Sequence, residues 1–210
     1  MKALIYKEFK LAAHPTCFIF LAFGAMLLIP NYPYYVAFFY TTLSLFFYFL
    51  NGRENRDILF TALLPVSKAD MVKARCTVCA IFELLAVIIA VPFSFLNRAL
   101  YGPCPLADCN VAFFGLTFVM FAIFNGLFIP RFYKTAYKLN FLVPCIVVFL
   151  FIGAAIALVF FPGIGAYLDA TSPEGMIAQL PVLIVGLVIF ILGMVLTCRR
   201  SVRNFEKVDL

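Results

Sequence analysis

RENRDILFTALLPVSKADMVK, residues 53–73, decides the fold of this chain, because it is too polar to cross a bilayer and separates two runs, 34–51 and 71–96, that are almost wholly apolar. Arg53, Glu54, Arg56 and Asp57 open a short helix. Its Ile58, Leu59, Ala62 and Leu63 form an apolar stripe that ends at Pro65, where the backbone donor is lost. Ser67 followed by Asp70 matches a capping box and marks the start of the next helix. A short helix charged at one end and apolar along one face either docks into a partner's groove or rests on the membrane surface, and these residues leave both readings open.

Working outward, the same alternation extends through the chain. Of 210 residues 65% are hydrophobic and 12% charged, whereas a soluble domain carries about a quarter charged. A helix needs about 20 mainly apolar residues to span a bilayer. The apolar runs predict six spans near 15–30, 34–51, 71–96, 111–129, 141–161 and 181–198, which leaves no separate soluble domain. The expected fold is therefore an all-α integral membrane protein with six transmembrane helices in a single domain.

Orientation follows from charge. With the first connection placed outside, Lys2, Lys7, Lys10, Arg53, Arg56, Lys68, Lys73, Arg75, Arg131, Lys134, Lys138, Arg199, Arg200, Arg203 and Lys207 fall inside. Arg98 alone falls outside. Basic segments beside span ends resist translocation, so both termini are expected in the cytoplasm. The net charge of +6 follows topology and indicates no nucleic-acid partner. Tyr32, Tyr34, Tyr35, Tyr101 and Tyr167 are expected at the outer headgroup zone, with Tyr6, Tyr133 and Tyr137 at the inner one. The 27 Phe are expected mainly as packing bulk.

Residues 1–14 form an expected amphipathic interfacial helix, with Met1, Ile5, Phe9 and Ala12 on one face, Lys7, Lys10 and His14 on the other, and Pro15 separating it from the first span. No cleaved signal peptide is expected. The tight Asn31-Tyr32-Pro33 turn has no counterpart in the second half, which argues against inverted repeats.

Glu83 is the one acidic residue inside a predicted span. A carboxylate there costs roughly 2.5 to 3.5 kcal/mol unless it faces protein or water, so it should point into the bundle, either as a substrate-cavity residue or as a paired structural carboxyl. The outer loop 97–110 holds Cys104 and Cys109, a candidate disulfide or two free thiols. In the outer loop 162–180, Ser172-Pro173-Glu174 starts a short helix. Cys76 and Cys79 share C-x-x-C spacing within an apolar helix, without the further ligands that zinc would need, and no metal is expected. Cys17, Cys145 and Cys198 read as small apolar residues. No phosphate-binding G-x-x-x-x-G-K-[ST], no H-E-x-x-H and no Ser/His pairing occurs, so catalysis and nucleotide binding by this chain are not expected.

MKALIYKEFK at residues 1–10, the short first turn, and ENRDILFTALLPVSKADMVKAR at 54–75 with its Leu63-Leu64-Pro65-x-Ser67 turn together resemble the permease subunits of type-two ABC exporters, the compact bacterial six-helix group in particular. The resemblance covers nearly the whole chain. It implies that residues 53–66 are the coupling helix docking on a separate cytoplasmic ATPase, with Arg53, Glu54, Arg56, Asp57, Ile58, Leu59, Leu63 and Leu64 as contacts. It further implies two ATPase copies that bind ATP and Mg, a second permease subunit in a homodimer, lipid contact in a bacterial plasma membrane, and outward transport by alternating access. A Phe-rich cavity with Glu83 would suit hydrophobic or amphipathic substrates such as peptides or drugs. The alternatives are a membrane-embedded immunity or sensor protein that does not pump and, with its required glutamate pair and histidines missing, an intramembrane protease.

Overall fold

The computed structural model describes residues 1–104, 106–135 and 138–208, whose regular elements are all helices, with no strand among them. Tyr137, expected at the inner boundary, lies outside the described residues. Helix α1 (Lys2–Lys7) runs on as a π-helical turn, Glu8–Ala12. His14, extended at ψ 145°, caps α2 (Pro15–Leu21) by accepting from Thr16 N, and the chain bends by 89° between the two helices. Proline at the first helical position permits this corner because its missing donor would be unpaired there in any case.

Span 15–30 is irregular. After α2 the backbone tightens into a 3₁₀ helix, Ala22–Leu28, and seven residues at about 1.5 Å followed by seven at about 2.0 Å cover about 24 Å. Helix α3 (Tyr35–Glu54) ends where Arg56 turns left-handed, φ 50°, and releases the chain into α4 (Asp57–Ala62). The expected cap is present: Ser67 Oγ accepts from Asp70 N at 3.0 Å and donates to Asp70 Oδ2 at 2.8 Å, which starts α5 (Lys68–Tyr101). α5 exceeds the predicted 71–96 span, and Gly102 at φ 72° stops it. Then follow α6 (Val111–Lys134), α7 (Leu142–Val159), α8 (Ile164–Leu168), α9 (Pro173–Ala178, capped by Ser172 as expected) and α10 (Leu180–Glu206).

Among the described residues, four helical stretches are long and apolar enough to cross a membrane: α5, α6, α7 and α9 with α10. The bent α1–α2 pair makes a fifth if counted as one span. α3 has the length, at 20 residues, but carries Thr41, Thr42, Ser44, Tyr48 and Asn51. The reason is its position: Thr41, Thr42, Ser44 and Tyr48 are buried, and the Thr42 and Ser44 hydroxyls bond back to the carbonyls of Phe39 and Thr41. Interior helices in a bilayer tolerate such groups because the partners lie within the protein.

α6 is the central helix. It meets α3 through Phe38–Phe121 and Phe49–Phe132, ring pairs 6.0 and 4.8 Å apart in edge-to-face geometry. With α10 it packs parallel and very closely. Gly115 lies against Val182 and Gly186, Ala122 against Gly193, and Gly126 against Thr197, while Asn204 Nδ2 donates to Pro130 O at 2.8 Å. The aromatic belt is only partly as expected: Tyr34, Tyr35 and Tyr133 are buried in the core, since Asn97 Nδ2 binds Tyr34 Oη at 3.0 Å and phenylalanines enclose the other two.

The basic residues gather at one end of the bundle. Lys68, opening α5, donates to Val208 O at the end of α10, and α1 lies beside the same end of α5 through Glu8 and Arg75. Arg98 lies at the other end, against Met176 Sδ at 3.5 Å. There Gln179, fully buried, donates to the carbonyls of Tyr167, Leu168 and Ala170 and accepts from Ala112 N, while Asn110 caps α6 and donates to Leu168 O. These two amides fasten the α8–α9 cap onto the start of α6.

A Cβ on Gly186 would stand 2.1 Å from Gly115 O. Gly186→Val is therefore expected to force α6 and α10 apart and to destabilise the bundle by about 2 kcal/mol or more, as overpacking does. Gly153→Ala, where nothing lies within 4 Å, should leave the melting temperature in detergent unchanged.

Candidate functional site

The loop between α3 and α5 is anchored to the rest of the protein by a buried cluster of charges. Arg75, one turn into α5 beyond the capping box and 1% exposed, donates from Nε to Glu8 Oε2 at 3.0 Å and from Nη2 to Glu8 Oε1 at 3.3 Å. The same Nη2 donates to Asp57 Oδ2 at the start of α4. Lys7 Nζ bridges the two acids from the other side, 2.9 Å from Glu8 Oε1 and 2.8 Å from Asp57 Oδ1, and also reaches Thr61 Oγ1 at 3.0 Å. Tyr48 of α3 donates its hydroxyl to Glu8, and its ring lies 5.2 Å below the guanidinium, with Phe49 at 5.6 Å. Two acids and two bases thus close a neutral cluster that joins α1, α3, α4 and α5.

Local structure brings these groups together. Adjacent Lys7 and Glu8 lie where α1 widens into its π turn, and Asn51 of α3 holds that turn by donating to Ala12 O at 2.9 Å. Asp57 and Thr61 lie one turn apart on α4, tied by Thr61 Oγ1 donating to Asp57 O. Gly52 leaves room for the guanidinium, since a Cβ there would come 3.1 Å from Nη1. Burial pushes the Glu8 carboxyl up, but Arg75, Lys7 and the Tyr48 hydroxyl outweigh it and hold it below its ordinary 4.5.

The inner-loop residues divide into two sets. Asp57 and Ile58 turn inward, Ile58 being 4% exposed, whereas Arg53, Glu54 and Arg56 face outward. Leu59, Phe60, Leu63 and Leu64 are exposed, Leu63 at 86%. The expected stripe through Ile58, Leu59, Ala62 and Leu63 is therefore split between the core and the surface, and Phe60 joins the outer part. A cleft of about 200 Å³ between α3 and α4 is lined by Gly52, Arg53, Arg56, Ile58 and Leu59.

Glu83 lies elsewhere, wholly buried between helices. Both carboxylate oxygens accept from Asn125 Nδ2 of α6, at 2.9 and 2.8 Å, and that nitrogen also lies 3.2 Å from Met194 Sδ of α10. Cys104 and Cys109 are free, buried thiols: Cys104 N donates to Asp108 Oδ1 and Cys109 Sγ to Ser94 O. Among the described residues no cluster of His, Cys, Asp or Glu could hold a metal ion.

On the sequence alone Lys7 is one cation of the polar face of residues 1–14, Arg75 is one of the charges expected inside, and neither Glu8 nor Tyr48 stands out. A signal was present in the sequence: Arg75 follows Met71 and Val72 into an apolar helix, and Glu8 is the one acid in a basic segment.

Breaking one member of a buried ion pair costs about 3 to 5 kcal/mol because the other is left uncompensated. Arg75→Met should thus lower the melting temperature in detergent more than Lys73→Met, whose cation is exposed and weakly paired. Because the folded Glu8 value is lowered, its contribution is complete above pH 4.5 and is lost as pH falls through the lowered value. Glu8→Gln should flatten that acid limb. Asn125→Leu is expected to destabilise by about 1 to 3 kcal/mol by stranding the Glu83 carboxyl, while Glu83→Gln, which retains a hydrogen-bonding amide, should cost less.

A family model described as ABC-2 family transporter protein matches residues 3–201. No curated protein matches the chain, and no solved structure does. With a helical membrane bundle and an inner loop clamped by buried charge, and with the match spanning nearly the whole chain, this protein belongs to the ABC-2 transporter family of membrane permeases.

Proposed function

We propose that the chain is the permease subunit of an ATP-driven exporter, with α4 as the coupling helix that receives a separate ATPase. The observation that carries this reading is the division of α4. Leu59, Phe60, Leu63 and Leu64 offer an exposed apolar tip, while Asp57 is clamped to Arg75 and Lys7 behind it. An apolar tip supplies docking area, Arg53, Glu54 and Arg56 supply orientation, and the clamp makes the tip a lever in place of a loose loop.

In this mechanism ATP hydrolysis with Mg in two partner ATPase subunits supplies the energy. Displacement of α4 is passed by Asp57 to Arg75, and so to α5, and by Lys7 and Glu8 to α1. Two such permeases, as a homodimer in a bacterial plasma membrane, would alternate access and release substrate outward. Six spans result when α2 with its 3₁₀ extension and α3 are both counted as crossing, and the shared basic end of the bundle then faces the cytoplasm. Hydrophobic or amphipathic compounds such as peptides or drugs fit the apolar interior. The pairing of Glu83 with Asn125 supports a structural carboxyl over a substrate-binding one.

Co-purification with a candidate ATPase, followed by ATPase assay, tests the reading. Leu63→Asp should weaken association by about tenfold or more, the effect of one lost interface anchor, without lowering the melting temperature. Asp57→Asn should keep association and reduce the permease-stimulated ATPase rate. If no ATPase associates with the wild-type chain, the permease reading fails and the non-pumping sensor reading takes its place.

A further inference from the structure

At the basic end of the bundle, α6 and α10 finish side by side. The parallel register, Gly126 against Thr197 and Pro130 against Asn204, brings Arg131 and Lys134 of α6 level with Arg199, Arg200, Arg203 and Lys207 of α10. Among the described residues none of these six cations has an ion pair, and the ion pairs found there involve Lys7, Lys73 and Arg75. The acid between them, Glu206, is exposed and likewise unpaired. Topology and the helix dipole account for cations at such ends. They do not account for Arg131 Nη1, which is buried and has no acceptor. Arg75 Nη1 is in the same position inside the ionic cluster, so the case for a ligand at Arg131 rests on the charge and the apolar face around it.

The helix face leading to the cations indicates what would meet them. Leu192, Val195 and Leu196 are exposed and precede Arg199, Arg200 and Arg203 at spacings of three and four, so a lipid-facing apolar stripe runs directly into a cationic one. A soluble anion would use the second part alone. A phospholipid uses both, its acyl chain along the stripe and its phosphate against the planar guanidinium fork. We propose that the paired inner ends of α6 and α10 form a binding site for the headgroup of an anionic phospholipid, with the half-buried Arg131 at its centre and Arg200 and Arg203 as its rim. Among the described residues this end carries six cations and one carboxylate, which favours a headgroup of net negative charge over a zwitterionic one.

The full chain, purified in detergent, is titrated with phosphatidylglycerol, phosphatidylcholine or inorganic phosphate, and bound lipid is counted by native mass spectrometry beside melting temperature. Phosphatidylglycerol is expected to bind in preference to phosphatidylcholine and to raise the melting temperature. Arg131→Gln should reduce the preference about fivefold, the usual effect of one cation near an anionic surface. Arg200→Gln, at an exposed position that folding does not need, should reduce it similarly, and Lys2→Gln should not. Equal binding of the two lipids overturns the proposal, as does an unchanged preference in both arginine variants. So does inorganic phosphate that displaces phosphatidylglycerol at millimolar concentration, because the site would then belong to a soluble anion.

Discussion

Arg75 carries a full charge at a place that water does not reach, and the inner half of the bundle is arranged around that constraint. A buried guanidinium is tolerable only with carboxylates in its plane and its remaining donors enclosed. Glu8 and Asp57 supply the carboxylates, and Tyr48 and Phe49 supply ring faces. Lys7 then balances the second acid. These groups come from α1 with its π turn, from α3 and from α4, so satisfying one arginine fixes where those three elements lie against α5. Such a cluster adds little net stability over an apolar core of the same shape. What it adds is register, because a slip of α4 by one residue would leave an acid facing Arg75 without its partner.

The rest of the bundle is held by different means. Phenylalanines of α3 and α6 interleave edge to face, and glycines let α6 and α10 approach to backbone contact. At the far end, Gln179 and Asn110 tie the cap to α6 by hydrogen bonds to carbonyls. The end that holds Arg75 is thus ionic, the middle apolar and the opposite end held by amides.

Much of this was legible in the sequence, for identifiable reasons. The capping box at Ser67 and the Ser172-Pro173 start are local, since they depend on residues three apart, and both are present in the structure. Charge asymmetry likewise survives as a spatial fact, with Lys68 and Arg75 at one end and Arg98 at the other. The ionic cluster was not legible because its members lie at positions 8, 57 and 75, and each alone resembles an ordinary inner-surface charge. The expected span 34–51 corresponds to α3, whose Thr41, Ser44 and Tyr48 lower its apolarity because the helix is interior, which no single-helix pattern records. Ile58 and Leu63 fit one stripe on a wheel, yet the clamp at Asp57 turns the first inward and leaves the second exposed.

The central claim is that α1, α4 and the start of α5 move as one body when the ATPase acts. Spin labels at Lys2 and Leu64, in the permease bound to its ATPase, report the distance between α1 and α4 by pulsed electron resonance, with a Leu64–Leu192 pair as the reference for movement against α10. The account expects the first distance to stay constant between nucleotide-free and ATP-bound states while the second changes. A Lys2–Leu64 distance that shifts on ATP binding while the Leu64–Leu192 distance holds would contradict it.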